Sequence, residues 1–219
     1  MGLLRRLQAL WSGPGPGDID DERWVVVDVE SSGLDATRDR LLAIAAIALR
    51  FDARRRPRIV LGDGFEVVLK QDGDAPVDKA NILLHGIGVG AQRAGVAPAV
   101  ALAAWRDWLG RSPLLAYHAA FDATLIGRAA REHLGADLPN PWLDLEPLAA
   151  VVHADPQRRS LDHWMQRHGI ACLARHNAAA DTLATAQLLL ALWPEVARRC
   201  GGGFAAVADL AEGQRFLPG

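Results

Sequence analysis

The stretch WVVVDVESSG, Trp24 to Gly33, decides the fold because it joins a strongly apolar segment to two closely spaced acids. Trp24 to Val29 has the aromatic and β-branched residues of a buried strand. Side chains of a strand alternate between its faces, so Asp28 and Glu30 share one face, roughly 7 Å apart along the chain. Two carboxylates that close repel each other unless a cation lies between them. A second interpretation stays open, in which the strand ends at Asp28 and the acids are solvated turn residues.

The composition bounds the class of protein. The 219 residues can bury one sizeable core, and half of them are apolar while 23% are charged, which is typical of a soluble globular protein. The longest apolar run, Leu41 to Leu49, is shorter than the roughly 18 residues that cross a bilayer, and no secretory signal is recognised. We therefore expect a cytoplasmic protein with no membrane partner. The net charge of −2 argues against binding nucleic acid through a strongly basic surface, but it leaves a local groove open.

Composition shifts along the chain predict three regions. Residues 1–22 are expected to form an amphipathic helix and a Gly/Pro linker, GPGPGD, which can sustain neither helix nor strand. The folded domain is expected over residues 23–199. Residues 200–219, with GGG near their start, are expected to be a tail. Cys172 and Cys200 lack the spacing of a zinc site or a disulfide framework.

Apolar periodicity predicts strands first and alternating helices and strands later, which indicates an α/β fold with a mixed sheet. Extended segments are predicted at Trp24–Val29, Arg40–Phe51, Ile59–Leu69, Pro113–His118 and Pro141–Leu145. Helices are predicted within 77–87, 97–110, 121–135, 160–169 and 178–199. The close succession of the first three strands favours an antiparallel meander.

A third acid, Asp122, follows the fourth predicted strand in the sequence YHAAFDATLIG. It can be interpreted as an ordinary acid near a helix N-terminus, where capping and the helix dipole favour it. Ligands of open α/β sheets nevertheless gather at strand ends, which makes Asp122 a candidate site residue.

A fourth acid, Asp181, lies about one turn into the Ala/Leu-rich helix of RHNAAADTLATAQLLLALW. His176 precedes it by five residues, which on a continuous helix is about 140° around the axis. His176 therefore fits better on the loop before the helix, with Asn177 as the cap. The alternative is a surface histidine without a role.

The order and spacing of these residues resemble the three motifs of the DEDDh 3′–5′ exonucleases, and in particular the proofreading epsilon subunit of bacterial DNA polymerase III. The matching residues are Asp28-x-Glu30, Asp122 after HAAF, and His176-x4-Asp181, within about 24–192. The segment LLHGIG, Leu83 to Gly88, is similar to a His-Gly-Ile loop of the epsilon-like branch. The resemblance implies an RNase H-like mixed sheet of five strands, the first three antiparallel and the later ones parallel, with helices on both faces.

The resemblance also implies the chemistry. Asp28, Glu30, Asp122 and Asp181 would hold two divalent ions, Mg²⁺ or alternatively Mn²⁺, because oxygen ligands suit these ions. His176 would be the general base that takes a proton from the attacking water. The expected reaction releases nucleoside 5′-monophosphates from a 3′ end of DNA. An exoribonuclease, a non-catalytic polymerase accessory module and, less readily, a phosphatase with Asp28 as nucleophile are the alternatives.

The remaining predictions concern substrate and partners. Ser31, Ser32 and Gly33, together with His85, Gly86 and Ile87, are expected to border the terminal nucleotide. The chain departs from the family pattern at Ser31 and Ser32, and at His118, where the family has an Asn that can contact substrate. Phe121 is expected to pack beneath the site. The N-terminal segment LLRRLQALW and the tail offer docking elements for a polymerase, and the C-terminal GQRFLPG is similar to a sliding-clamp peptide, so a polymerase or a clamp is a candidate partner.

Overall fold

The computed structural model describes residues 19–71, 79–172 and 174–217, and a five-stranded sheet organises them. The strands are β1 (Arg23–Ser31), β2 (Leu41–Phe51), β3 (Pro57–Val68), β4 (Leu114–Ala116) and β5 (Trp142–Asp144). Their order is β3-β2-β1-β4-β5. The pairs β1–β2 and β2–β3 are antiparallel, whereas β1–β4 and β4–β5 are parallel. The predicted mixed sheet is confirmed.

The helices follow the strands in the predicted alternation. They are α1 (Lys79–His85), α2 (Val89–Ala94), α3 (Pro98–Leu109), α4 (Ala119–Leu134), α5 (Leu145–His153), α6 (Leu161–His168), α7 (Ala178–Cys200) and α8 (Phe204–Glu212), with a final 3₁₀ turn at Gly213–Phe216. No helix in the described ranges combines the length and the apolar character needed to cross a bilayer.

Strand β1 divides its side chains between two cores. Trp24 and Val26 enter one cluster, which also contains residues of α5, α6, α7 and α8. Val25, Val27 and Val29 enter the other cluster, against α3 and α4. Alternation of side chains along the strand is the cause, and helices on both faces of the sheet are confirmed.

The two acids of the opening stretch lie within β1. Asp28 is opposite Ala45 and Glu30 is opposite Ala43 on β2, and the pairing slips by one residue only between Glu30 and Ser31. The interpretation of Asp28 and Glu30 as solvated turn residues is therefore wrong. Both side chains are held by the hydrogen-bonded ladder of a central strand, which fixes their direction.

The prediction of a tail from residue 200 onward is wrong for the residues that the structure describes there. Gly201, with φ of 75°, ends α7 in the left-handed conformation, and Gly203 precedes α8. Phe204 is 5% exposed and its ring packs edge-on against Trp24 at 5.2 Å. The glycines thus separate two packed helices. The predicted N-terminal helix and its linker lie outside the described residues.

Candidate active site

Helix α7 closes over the face of β1 that carries the two acids. Asp28 and Glu30 lie on the same face of β1 as Trp24 and Val26, because side chains alternate along the strand. Trp24 and Val26 pack in the core cluster that contains residues of α7. The buried hydroxyl of Thr182 on α7 donates to the Ala45 carbonyl of β2 at 3.1 Å. This bond fixes the helix against the sheet one residue beyond Asp181.

Asp122 lies in the first turn of α4, where β4 gives way to the helix. It is 4% exposed, and its Oδ1 accepts a hydrogen bond from the Val29 N–H at 3.1 Å. Val29 is the residue between Asp28 and Glu30. The contact therefore ties the second predicted motif directly to the first.

Asp181 lies in the first turn of α7 and is 6% exposed. Its Oδ2 accepts a hydrogen bond from the His176 backbone N–H at 3.0 Å, and its Oδ1 contacts the guanidinium of Arg175. Asn177 caps the helix, since its side chain accepts from the Ala180 N–H at 3.1 Å. His176 lies on the loop before the helix with an exposed side chain and φ of 61°. The structure thus joins His176 to Asp181 through the backbone.

The pKa values of three acids show that the carboxylates lie within electrostatic reach of one another. Burial raises the pKa of Asp28 well above its ordinary value, and Asp122, Glu30 and Asp181 add to the effect. Burial, with Asp181, raises the pKa of Glu30 to about 7. Burial also raises the pKa of Asp122 to about 8, and Asp144 and Glu30 contribute. A nearby positive charge would relieve this repulsion.

The donor set fits a divalent cation. Four carboxylates supply oxygen ligands only, which suits Mg²⁺ and Mn²⁺. Glu30 Oε1 is buried and has no hydrogen-bond partner within the described ranges, and a bound cation would satisfy it. Over the same residues no group of three or more His, Cys, Asp or Glu side chains is already placed to hold a metal ion. Ion binding at this site would therefore require the carboxylates to draw together.

The hydroxyls of Ser31 and Ser32 stabilise the turn after β1. Ser31 Oγ donates to the Gly33 carbonyl at 2.6 Å, and Ser32 Oγ donates to Asp39 Oδ1 at 3.0 Å. Ser32 Oγ also accepts from the Arg40 N–H at 2.9 Å. A Cβ atom at Gly33 would lie 2.5 Å from the Asp39 carboxylate, so a larger residue there would displace the Asp39 side chain. Asp39 is a supporting residue that no sequence signal identified.

His85 ends α1 beside the end of β1. Its Nδ1 accepts from the Ile87 N–H at 3.0 Å, and burial lowers its pKa, so the neutral ring carries its proton on Nε2. That buried Nε2–H has no partner in the described part of the chain. Gly86 has φ of 75°, which favours glycine. Asn81, which the sequence did not single out, donates to the Ser31 carbonyl at 2.7 Å and holds α1 at the site.

His118 precedes α4 in the left-handed conformation, with φ of 62°. Its backbone N–H donates to Asp144 Oδ1 at 3.0 Å at the end of β5. Its side chain is exposed, as a substrate-contacting group would be. Phe121 is partly buried and packs against the core on the α3–α4 face of the sheet. Asp144 is a further acid that sequence reasoning missed, although the extended segment that contains it, Pro141–Leu145, was predicted.

An open mixed sheet with acids converging from β1, α4 and α7 defines an RNase H-like nuclease architecture. The family model for RNase T, described as "Exonuclease", matches residues 25–189. The chain belongs to this exonuclease family, and the resemblance that the motifs indicated is confirmed.

Curated relatives include proteins with DNA polymerase III names. The chain is 33% identical over 196 residues to a DNA polymerase III subunit epsilon-like protein of Rhodobacter capsulatus, covering 86% of this chain and 26% of that protein. It is 26% identical over 186 residues to the PolC-type DNA polymerase III of Bacillus subtilis, covering 83% of this chain and 12% of that protein. The chain thus spans a small part of the length of these relatives.

Solved structures with the same fold include E. coli exonuclease I in complex with a dA16 oligonucleotide. The match has a TM-score of 0.67 at 19% identity and covers 86% of this chain and 42% of that chain. A zinc-bound form of the complex of E. coli exonuclease I with single-stranded DNA matches with a TM-score of 0.69 at 20% identity, over 82% of this chain and 42% of that chain. At this identity the likeness establishes the fold.

Proposed function

We propose that the chain is a metal-dependent 3′–5′ exonuclease that removes nucleoside 5′-monophosphates from single-stranded or mispaired 3′ ends of DNA. One observation carries the proposal. In a chain of the exonuclease family, burial raises the pKa values of the Asp28, Glu30 and Asp122 carboxyls, and at least one neighbouring carboxylate raises each of them further. Buried carboxylates that lie near other carboxylates carry a cost that a bound cation removes.

Asp28, Glu30, Asp122 and Asp181 would hold two divalent ions, Mg²⁺ or Mn²⁺. When bound, the ions would stabilise the charge that develops at phosphorus. His176 would accept the proton of the attacking water, since imidazole is suited to proton transfer near neutral pH. The hydrogen bond from its backbone to Asp181 supports this role, because it keeps the loop at the acid cluster.

The residues that border the site would hold the terminal nucleotide. The unpartnered Nε2–H of His85 supports a role as hydrogen-bond donor to the substrate. Gly86 and Ile87 complete that loop, and the Ser31–Gly33 turn would offer backbone groups because its hydroxyls are already engaged. The exposed His118 would contact the strand, and Phe121 would support the site from beneath.

DNA is the favoured substrate because the relatives named above are DNA polymerase III proteins and the structural neighbours bind DNA oligonucleotides. RNA remains the alternative, since exoribonucleases of this type share the same five residues. A polymerase partner is proposed on the same similarity. A sliding-clamp contact would use Phe216, which is 82% exposed. A cytoplasmic location stays a prediction from sequence.

The catalytic assignment is tested with Asp181→Ala and His176→Ala. Each variant should release labelled mononucleotide from a 3′-labelled oligonucleotide at least about 100-fold more slowly in Mg²⁺, with an unchanged circular dichroism spectrum. Asp137→Ala, at an exposed acid paired with Arg131, is the matched control and should keep full activity. Undiminished activity of both site variants would refute the assignment.

Substrate class is tested on the unsubstituted protein. Trimming rates are measured on matched single-stranded DNA, mispaired duplex and single-stranded RNA, each with and without EDTA. Faster trimming of DNA that EDTA abolishes is the expected result. Faster trimming of RNA would favour the exoribonuclease alternative, and EDTA-resistant activity would contradict the metal mechanism.

A further inference from the structure

Arg175 lies between the acid cluster and helix α6. Its guanidinium contacts Asp181 Oδ1 with Nη1, and its Nε donates to Asp162 Oδ1 at 2.6 Å. Asp162 lies in the first turn of α6, whereas Asp181 lies in the first turn of α7. The side chain of Arg175 is 28% exposed. The guanidinium of Arg175 therefore bridges a candidate metal ligand, Asp181, and a carboxylate outside the cluster, Asp162.

The contact with Arg175 engages Asp181, which is a candidate metal ligand. Asp181 Oδ2 accepts from the His176 N–H and Oδ1 faces the guanidinium, so both oxygens are already engaged. The effect of Arg175 extends beyond Asp181, because it lowers the pKa of Asp28 while burial and three neighbouring carboxylates raise it. The charge of Arg175 thus acts on the cluster in the direction that a metal ion would.

We infer that Arg175 is a counter-cation built into the chain, which neutralises Asp181 in the metal-free protein and competes with divalent ions for that carboxylate. The inference rests on the proposed function, since it requires the acid cluster to bind metal. A guanidinium and a divalent ion at one carboxylate oxygen repel each other, so binding of one weakens binding of the other.

Asp162 provides Arg175 with a second carboxylate partner. It is 60% exposed and outside the acid cluster, and it holds two nitrogens of Arg175, Nε at 2.6 Å and Nη2 at 3.4 Å. When an ion takes Asp181, Arg175 keeps this second partner and stays beside the site. The metal-free protein in turn avoids an uncompensated buried carboxylate at Asp181, which is costly.

The test is a Mn²⁺ titration of the full chain by isothermal calorimetry. Arg175→Gln keeps a polar side chain and removes the charge, and it should bind Mn²⁺ at least about threefold more tightly, as loss of one partly exposed ion pair implies. Its melting temperature without metal should fall by several degrees. Arg158→Gln is the matched control, since Arg158 pairs with buried Glu146 at 3.3 Å, and it should change the Mn²⁺ dissociation constant less than twofold.

Arg175→Lys serves as a second variant if the Gln variant does not fold without metal. Lysine keeps the charge but lacks the fork that contacts both carboxylates, so it should tighten Mn²⁺ binding by a smaller factor. Equal or weaker binding by the folded variants overturns the inference while the metal site stands. No Mn²⁺ binding by the unsubstituted protein overturns the metal site of the proposed function, and the inference with it.

Discussion

The backbone conformation at His118 restricts which residue types can occupy this position, independently of substrate binding. Its φ of 62° lies in the left-handed region, and its N–H is bound to Asp144. Asn, Asp and His are the non-glycine residues most enriched in that region. An Asn, as in the family pattern, would satisfy the same backbone requirement as His118, and it would differ in the side chain that it presents to solvent.

Substitution of His118 should separate these two effects. Because asparagine tolerates the left-handed conformation, His118→Asn should melt within about 2 °C of the unsubstituted protein. His118→Val should lose about 1–2 kcal/mol of unfolding free energy in urea titration, since a β-branched residue is strained there. Equal stability of the two variants would contradict the argument. A change in the ratio of DNA to RNA trimming by the Asn variant would then belong to the side chain alone.

At the residue scale, the sequence predicted the residues that carry chemistry better than those that support them. Asp28, Glu30, Asp122 and Asp181 were singled out as acids at strand and helix ends, and their roles as ligands remain proposals. Asn81 was missed because its partner is the Ser31 backbone, 50 residues earlier. A contact between a side chain and a distant backbone leaves no periodic pattern in the sequence.

Helices α5 and α6 are joined at their C-terminal ends by a pair of histidines. The Nε2 atoms of His153 and His168 are 2.9 Å apart, so one must donate and the other accept, which requires the accepting ring to be neutral. The ring of His153 also stacks on Trp164 at 4.8 Å. Burial lowers the pKa of His153 to about 4, with Arg167, His168 and Arg199 adding to the effect and Asp155 opposing it.

This pair should make stability depend on pH. The folded pKa of His153 lies below its ordinary 6.5, so the native state binds fewer protons than the unfolded chain. The contribution of neutral His153 to the free energy of unfolding is therefore present above pH 6.5 and is lost as the pH falls towards about 4. His153→Gln should therefore show a shallower fall in melting temperature between these pH values. His133→Gln, at the end of α4, is the control, and a slope unchanged by His153→Gln would refute the prediction.

At the element scale, the prediction recognised the five strands and the long helices, and it missed α2 and α8. The amphipathic segment that forms α3 and the apolar segment that forms β2 were recognised, because periodicity or apolar runs extend over many residues. Helix α2 has six residues and was not predicted. Helix α8 was hidden by the glycines before it, because a glycine run favours a linker until tertiary packing is known.

At the scale of the whole molecule, an aromatic cluster joins β1 to α8. The ring of Trp24 lies 4.5 Å from that of Phe51, 5.6 Å from that of Trp193 and 5.2 Å from that of Phe204. These four side chains come from β1, β2, α7 and α8. The segment after the glycine run is therefore part of the same core that orients Asp28 and Glu30.

Truncation of Phe204 tests this role of α8. Phe204→Ala should lower the free energy of unfolding by about 3–4 kcal/mol, because it leaves a cavity beside Trp24. Phe216→Ala, at a side chain that is 82% exposed, should change it by less than about 0.5 kcal/mol. Denaturant titrations of both variants provide the measurement. A cost below about 1 kcal/mol for Phe204→Ala would mean that α8 contributes little to the fold.

The division of β1 between two cores has a consequence for how this protein can change over evolution. Odd-numbered positions face α3 and α4, whereas the positions of Trp24, Val26, Asp28 and Glu30 face α7. A substitution alters one side chain, but insertion or deletion of a single residue before Asp28 would exchange the two faces and turn both acids away from Asp181. Point mutations can therefore change individual side chains of β1, whereas the number of residues before Asp28 in the strand cannot change by one without loss of the site.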